Sequence, residues 1–255
     1  MVDGGRPRDR RTGSQSVERA LAVLAVVAEA DGDVGVTDVA SRTGLSVSTV
    51  HRLLRAMVDA GFVAQEPVTE RYHLGSTLVA IGRRAEARLG FDRMLPRLEA
   101  LAARTGESVN LGTRVGDEVL IVLHVASSHP LRFDQPVGSR VPVHASAMGK
   151  ALLASAPDPA RAVAALGRLR PLTGATLTTP EGLLRDVDTA RRRGWAINDG
   201  ERDPGVRAIG AAVRGPDGDA IAAIAVQGPA VRMGDDRLTE LAGELIATAT
   251  ALSTP

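Results

Sequence analysis

From Val17 onward the apolar positions fall at Val17, Ala20, Leu21, Leu24, Val27 and Ala28, the spacing of one helical face. An amphipathic helix is predicted from Ser16, a good N-cap, to the polar break at Asp31-Gly32-Asp33. Thr37 then reads as the cap of a short helix that turns Val39 and Ala40 inward. Gly44 supplies a turn, and Ser46 caps a second helix whose apolar side is Val50, Leu53, Leu54 and Met57. Its other side carries Ser48, Thr49, His51, Arg52 and Arg55. Gly61 ends this helix, and Phe62-Val63-Ala64, a turn at Pro67-Val68-Thr69-Glu70 and Arg71-Tyr72-His73-Leu74 read as a β-hairpin. Leu78, Ile81, Ala85 and Leu89 then form one stripe of a further helix, with Arg83, Arg84, Glu86 and Arg88 off it.

After Gly90 the pattern changes to alternating helices and strands. Met94, Leu95, Leu98, Leu101 and Ala102 mark a helix ending at Thr105-Gly106. Ser108 to Arg114 and Glu118 to Ala126 form a hairpin about Gly116-Asp117. Short strands are predicted near Leu131-Arg132-Phe133 and Val141-Pro142-Val143, followed by a helix entered at Ser146, another over Pro159 to Leu166, and one opened by Thr179-Pro180-Glu181 and closed by Gly194. Trp195 to Ile197, Val206 to Val213 and Ala220 to Gln227 read as strands, the last two joined at Asp217-Gly218. A closing helix has Leu238, Leu241, Leu245, Ala249 and Leu252 inward. The fold class is α+β, with a mainly antiparallel sheet flanked by helices in the second half. The expected divisions are a disordered arm over 1–15, a first domain over 16–75, a linker helix over 76–90 and a second domain over 91–255.

A chain of 255 residues can bury two cores. With no cysteine it has no disulfides and no thiolate chemistry. The apolar runs are too short for a membrane span, and Arg6, Arg8, Arg10 and Arg11 precede no apolar leader segment, so the expected location is the cytoplasm, with no membrane partner. A net charge of +1 gives no global argument for nucleic acid. The local distribution does: from Val39 to Val58 the only charged residues are Arg42, Arg52 and Arg55, a balance of +3. Lys150 is the only lysine in the chain, which by itself suits a GC-rich genome.

Two short helices hinged at a glycine, with a basic polar face on the second, are a helix-turn-helix; a hairpin directly behind makes it winged. Candidate DNA-binding residues are therefore Thr37, Ser46, Ser48, Thr49, His51, Arg52 and Arg55, with Arg71 on the wing. Arginine can read guanine or clamp phosphate, and Ser or Thr can serve either role.

Enzymatic patterns fail on spacing. Gly149-Lys150 would need a glycine where His144 stands, and a Ser or Thr where Ala151 stands, to be a phosphate-binding loop. Ser146 and Lys150 are four apart, not three as in S-x-x-K acyl enzymes. His124, His129 and His144 have no carboxylate at ligand spacing, and Glu201 and Asp203 sit in a Gly- and Pro-rich loop. No catalytic residue, metal site or cofactor is expected.

Five motifs in order carry a resemblance: S-V-E-R-A-L-A-V-L, G-L-S-V-S-T-V-H-R-L-L, Y-H-L-G, V-P-V-H-A-S-A-M-G-K-A-L-L-A and R-R-R-G-W-A-I-N-D-G-E-R-D-P-G-V-R-A-I-G-A-A-V. The chain from Ser16 onward resembles the IclR family of bacterial transcriptional regulators. That resemblance implies a winged helix-turn-helix on double-stranded operator DNA, a GAF-like C-terminal domain that binds a small organic effector, and a homodimer or homotetramer. The effector positions it implies are Ala147, Met148 and Gly149 in the helix entry after Ser146, Asn198 and Asp199, Ala208, Ala225 and Gln227. Where the family often has D-D-E-E, this chain has Asn198-Asp199-Gly200-Glu201; Ala208 replaces a frequent cysteine and Ala225 a frequent serine. The backbone N–H groups after Ser146 suit a carboxylate. The alternative function is a GAF-type small-molecule sensor or enzyme whose DNA-binding-like N-domain does not work as one.

Overall fold

The computed structural model describes residues 10–253, and two compact units part between Leu89 and Gly90. The first contains α1 (Arg10–Ala28), α2 (Val36–Thr43), α3 (Val47–Asp59), β1 (Val63–Gln65), β2 (Tyr72–Leu74) and α4 (Ser76–Leu89). Its core is Val23 and Val27 of α1, Val39 of α2, Val50 and Leu54 of α3, and Val63 and Tyr72 of the hairpin. Leu53 and Met57, expected inside, pack half-buried against that core. Burial of a side chain such as Leu54 stabilises by about 1.5–3 kcal/mol. In a unit this poor in aromatics, branched aliphatic residues make up most of the core.

The turn of the helical pair is made by Gly44, left-handed at φ 68°. Besides its buried Val63 and Tyr72, the hairpin is drawn in by close backbone approach: a Cβ on Gly75 would lie 2.2 Å from the Gly61 carbonyl oxygen. The Val34 and Tyr72 backbones exchange two hydrogen bonds of 2.9 and 2.8 Å, so the loop before α2 adds a bridge to the wing.

Two boundaries differ from those expected. Helix α1 begins at Arg10, not Ser16, because no proline or turn dipeptide interrupts 10–15 and Ser14 Oγ donates to Glu18 Oε1 at 2.6 Å. Residues 1–9 of the expected arm lie outside the described residues. Gly35, not Thr37, is the N-cap of α2; the Asp38 carboxylate reaches back to the Gly35 N–H at 3.3 Å, and Thr37 sits in the first turn. Among the described residues no helix is long and apolar enough to cross a membrane.

The second unit contains α5 (Phe91–Thr105), β3 (Ser108–Val115), β4 (Glu118–Val125), β5 (Arg140–Pro142), a short helical turn over Val143–Ala145, α6 (Ala147–Ser155), α7 (Pro159–Ala164), α8 (Pro180–Arg193), β6 (Ala196–Asp199), β7 (Val206–Arg214), β8 (Ala220–Pro229) and α9 (Asp235–Ser253). The strands form one antiparallel sheet in the order β5-β4-β3-β8-β7-β6. One face packs on α5 and α9 through Leu98, Leu111, Ile209, Ile224, Leu238 and Leu245. The other packs on α6, α7 and α8 through Ile121, Met148, Leu153, Val163, Leu183 and Ala223. The unit is an α/β sandwich, as the sequence pattern implies. Thr179 caps α8 with Pro180 in its first turn, and Gly194 ends it left-handed at φ 85°.

Leu131-Arg132-Phe133 is not a strand. Pro130 and Pro136 bracket it, and its carbonyls accept from side chains instead of a neighbouring strand: Leu131 O from Arg232 Nη1 at 2.8 Å and Phe133 O from Gln227 Nε2 at 3.5 Å. The segment is a strap. Arg232 fixes it at one end through a bidentate pair with buried Glu107, at 2.6 and 2.7 Å.

Candidate functional site

In the first unit, Ser46 caps α3 with its Oγ accepting from the Thr49 N–H at 3.3 Å. The same oxygen lies 2.8 Å from Thr49 Oγ1 and 3.2 Å from Ser48 Oγ, a small hydroxyl cluster at the mouth of the helix. Ser48, His51, Arg52 and Arg55 are exposed along one side, Thr49 half-buried, and Val50 and Leu54 fully buried on the other. Neither Arg52 nor Arg55 makes an ion pair among the described residues. A helix that buries one side and offers small polar groups at its N-terminus, then two unpaired guanidiniums, can enter a major groove about 12 Å wide.

Arg71, expected on the wing as a DNA contact, is committed within the unit. Its Nε donates to the Asp33 carbonyl at 2.8 Å and its Nη2 to Asp38 Oδ2 at 3.3 Å, bracing the hairpin to the α1–α2 loop and the first turn of α2. The sequence could not place Asp33 and Asp38 beside it, since they stand more than thirty residues away.

In the second unit, strand register brings most of the expected effector positions together. Asn198, Ala208, Gln227 and Ser108 form one row across β6, β7, β8 and β3, and Ala196, Gly210, Ala225, Asn110 and His124 form the next, extending to β4. Helix α6 enters over these rows. A Cβ on Gly210 would lie 2.6 Å from Ala147 C and O, so β7 passes directly beneath the first turn. Ser146 Oγ accepts from the Gly149 N–H at 3.1 Å and Ser146 O from the Lys150 N–H at 2.9 Å. The N–H groups of Ala147 and Met148 are left as first-turn donors that the helix does not use.

Asp199 does not join the group. Adjacent strand residues face opposite ways, so with Asn198 on the α6 side Asp199 points away, and its Oδ1 pairs with Arg207 Nε at 2.8 Å. Asn198 is partly engaged: its Oδ1 accepts the Glu201 N–H at 2.9 Å and closes the β6–β7 turn.

Sequence reading missed Asn110, Gln135 and the part played by His124. Asn110 is completely buried beside Ala225, its Oδ1 2.7 Å from His124 Nδ1 and its Nδ2 donating to Gln135 Oε1 at 3.4 Å. His124 Nε2 also lies 3.4 Å from Asp134 Oδ1. A β-bulge puts His124 there. Val119 and Ile121 face α6, and strict alternation would carry 123 and 125 to the same side; between Leu111 and Gly112 the register slips by one, so Leu123 and Val125 turn to the α5/α9 core and His124 to the polar rows. Val122 is the extra residue, and nothing in its side chain marks it as such. The result is a ring of amides, a histidine and two free N–H donors between the sheet, the strap and α6. It can hydrogen-bond a compact polar ligand and favours an anion at the helix end.

Among the described residues no cluster of three or more His, Cys, Asp or Glu could hold a metal ion.

Comparison with known proteins gives the same division. Residues 16–67 match the model described as the IclR helix-turn-helix domain and residues 91–254 that of the bacterial transcriptional regulator IclR C-terminal. The HTH-type transcriptional regulator BhcR of Paracoccus denitrificans is 36% identical over 259 residues, covering 98% of this chain and 92% of that protein. The transcriptional repressor IclR of Escherichia coli is 34% identical over 240 residues, covering 92% and 87%. Among solved structures, an IclR homologue from Microbacterium hydrocarbonoxydans in complex with 4-hydroxybenzoate aligns with a TM-score of 0.76 at 25% identity, over 92% of this chain and 99% of that one. The fold also matches an IclR-type regulator from Alicyclobacillus acidocaldarius, with a TM-score of 0.81 at 24% identity over 94% and 97%. The chain belongs to the IclR family of bacterial transcriptional regulators.

Proposed function

We propose that the chain binds operator DNA as a two-fold pair and that a small organic acid, held between the strap, the sheet and the first turn of α6, sets that binding. The observation that carries the DNA reading is the outer side of α3: Ser48, His51, Arg52 and Arg55 exposed, with no acid from Val39 to Val58 to repel phosphate. Pairing is supported by apolar residues left in solvent, Val17 and Leu21 on α1 and Val79, Ile81 and Leu89 on α4. Two recognition helices then meet half-sites about one DNA turn (~34 Å) apart, or a multiple of it. The acid is favoured by the Ala147 and Met148 N–H donors, and the relative that carries 4-hydroxybenzoate is consistent with that class.

The test is binding of the purified protein to duplex from the neighbouring operon against random duplex, across salt and with small organic acids. A regulator binds its operator in preference and with a steep salt slope, because phosphate neutralisation releases counterions. Equal affinity for random duplex in every condition overturns the reading.

Two substitutions separate the sites. Arg52→Ala is expected to weaken operator binding by about 1–3 kcal/mol; if Arg52 reads a base, preference at one position relaxes, and if it holds phosphate the loss is uniform and the salt slope falls by about one. A gel-shift series on single-base operator variants distinguishes the two. Gln227→Leu keeps most of the side-chain volume but deletes the amide, so response to the acid should weaken by about tenfold while operator binding without it is retained. A simultaneous loss of both would place Gln227 in the folding of the unit instead.

A further inference from the structure

The chain's only lysine is also the most buried ionic group among the described residues: the Lys150 side chain is 1% exposed. Its Nζ lies 2.5 Å from Glu201 Oε1 and 2.7 Å from Asp186 Oδ2. One ammonium therefore serves two carboxylates. The Glu201 side chain is 7% exposed, and its second oxygen, Oε2, is buried with no hydrogen-bond partner among the described residues. Burial pushes the Glu201 carboxyl up; Lys150 opposes the shift and Asp186 adds to it. Arg193, at the end of α8, offsets part of the Asp186 charge without donating to Glu201. A buried acceptor of this kind calls for a donor.

Beside it lies a cavity of about 390 Å³. Lys150, Asp186 and Glu201 form its charged end, Ala175, Leu177 and Ile197 its apolar wall, and Asp199 belongs to its rim, where Arg207 already holds it. The cavity lies at the edge of the sheet, where β6, its outermost strand, meets Lys150 of α6 and Asp186 of α8, and it shares no lining residue with the polar rows described above. An anion would meet two carboxylates there. A metal ion would have to displace the Lys150 ammonium, which occupies the space between them. A group that brings N–H donors on a short apolar stem satisfies Glu201 Oε2 and the wall together.

We propose that this cavity is a second ligand site of the protein, specific for a short aliphatic amine whose ammonium donates to Glu201 Oε2 and whose carbon chain lies against Leu177 and Ile197. Because Lys150 is part of α6, an amine bound here bears on the helix whose first turn faces the acid site, so the two ligands act on one element. The site itself does not depend on the acid reading.

Calorimetric titration of the full-length protein with n-butylamine tests it, with n-butyrate and n-butanol as matched probes. The expected result is saturable binding of one amine per chain, none of butyrate, and butanol at least about tenfold weaker than the amine. Ala175→Trp fills the cavity from its exposed rim without touching the charged groups, and should weaken amine binding at least about tenfold with the thermal melt unchanged; Glu201→Gln should do the same where it folds. No saturable heat from butylamine, butanol binding as tightly as the amine, or undiminished binding to Ala175→Trp overturns the proposal. Each is independent of whether the protein responds to acids or binds an operator.

Discussion

Gly149→Ala is expected to destabilise the C-terminal unit by about 3 kcal/mol or more, lowering its melting temperature by about 6–12 °C. The added methyl would sit 2.2 Å from Val143 O, 2.4 Å from Val143 Cα and 2.6 Å from Val143 C. All three atoms are backbone, so no rotamer change relieves the contact; either α6 or the turn over Val143–Ala145 must move. Both border the polar rows, and loss of the acid response should accompany the loss of stability. Gly243→Ala is the control, because that glycine is exposed in α9 with nothing within 4 Å of an added Cβ. There the same substitution should be neutral or stabilise by up to about 1 kcal/mol through helix propensity. Thermal melts of the two variants beside the parent settle it, and a Gly149→Ala protein as stable as Gly243→Ala would show that α6 can withdraw from Val143 at no cost.

The contrast explains why parts of this molecule were legible in sequence and others were not. Local chemistry was readable. Ser146 and Thr179 cap the helices they precede, Gly44 and Gly194 end theirs left-handed, and the Asp217-Gly218 turn joins two strands, because each depends on residues within a few positions. Sheet register was only half readable. Ala208, Ala225 and Gln227, positions the family resemblance implies, share one face, whereas strict alternation would send His124 to the wrong one, since the one-residue slip at Gly112 lies in the pairing of two strands and not in either alone. Asp199 illustrates the reverse: its neighbour Asn198 faces α6, and a contiguous motif conceals that adjacent strand residues are on opposite sides. Segment 131–133 has the composition of a strand but offers its carbonyls to Arg232 and Gln227, partners about a hundred residues away. Arg71 is similar, with an expected outward reach that Asp33 and Asp38 take up.

Lys150→Met should be about as costly as Gly149→Ala, at about 3–5 kcal/mol, because removing one partner of a buried ionic cluster leaves the others uncompensated. Here the residue left behind is Glu201, whose carboxyl burial already pushes up and which Lys150 holds down by charge and by a hydrogen bond of 2.5 Å. Without the ammonium it should rise further. For an acid whose folded value is raised, the associated stability is fully present below its unfolded value and is lost as pH rises through the folded one. Lys150→Met should thus lie closest to the parent in mild acid and fall progressively behind as the pH increases, whereas loss of packing alone would give a constant gap. Adding Glu201→Gln to Lys150→Met removes the titrating group and should flatten that dependence, recovering part of the stability; melts of the four proteins across pH form the cycle that isolates the coupling. Lys150→Arg completes the argument. In a chain that uses arginine for every other basic residue, a guanidinium is too broad and too rigidly forked for a site shaped around a compact ammonium between Asp186 and Glu201, so the charge-conserving variant should also lose stability.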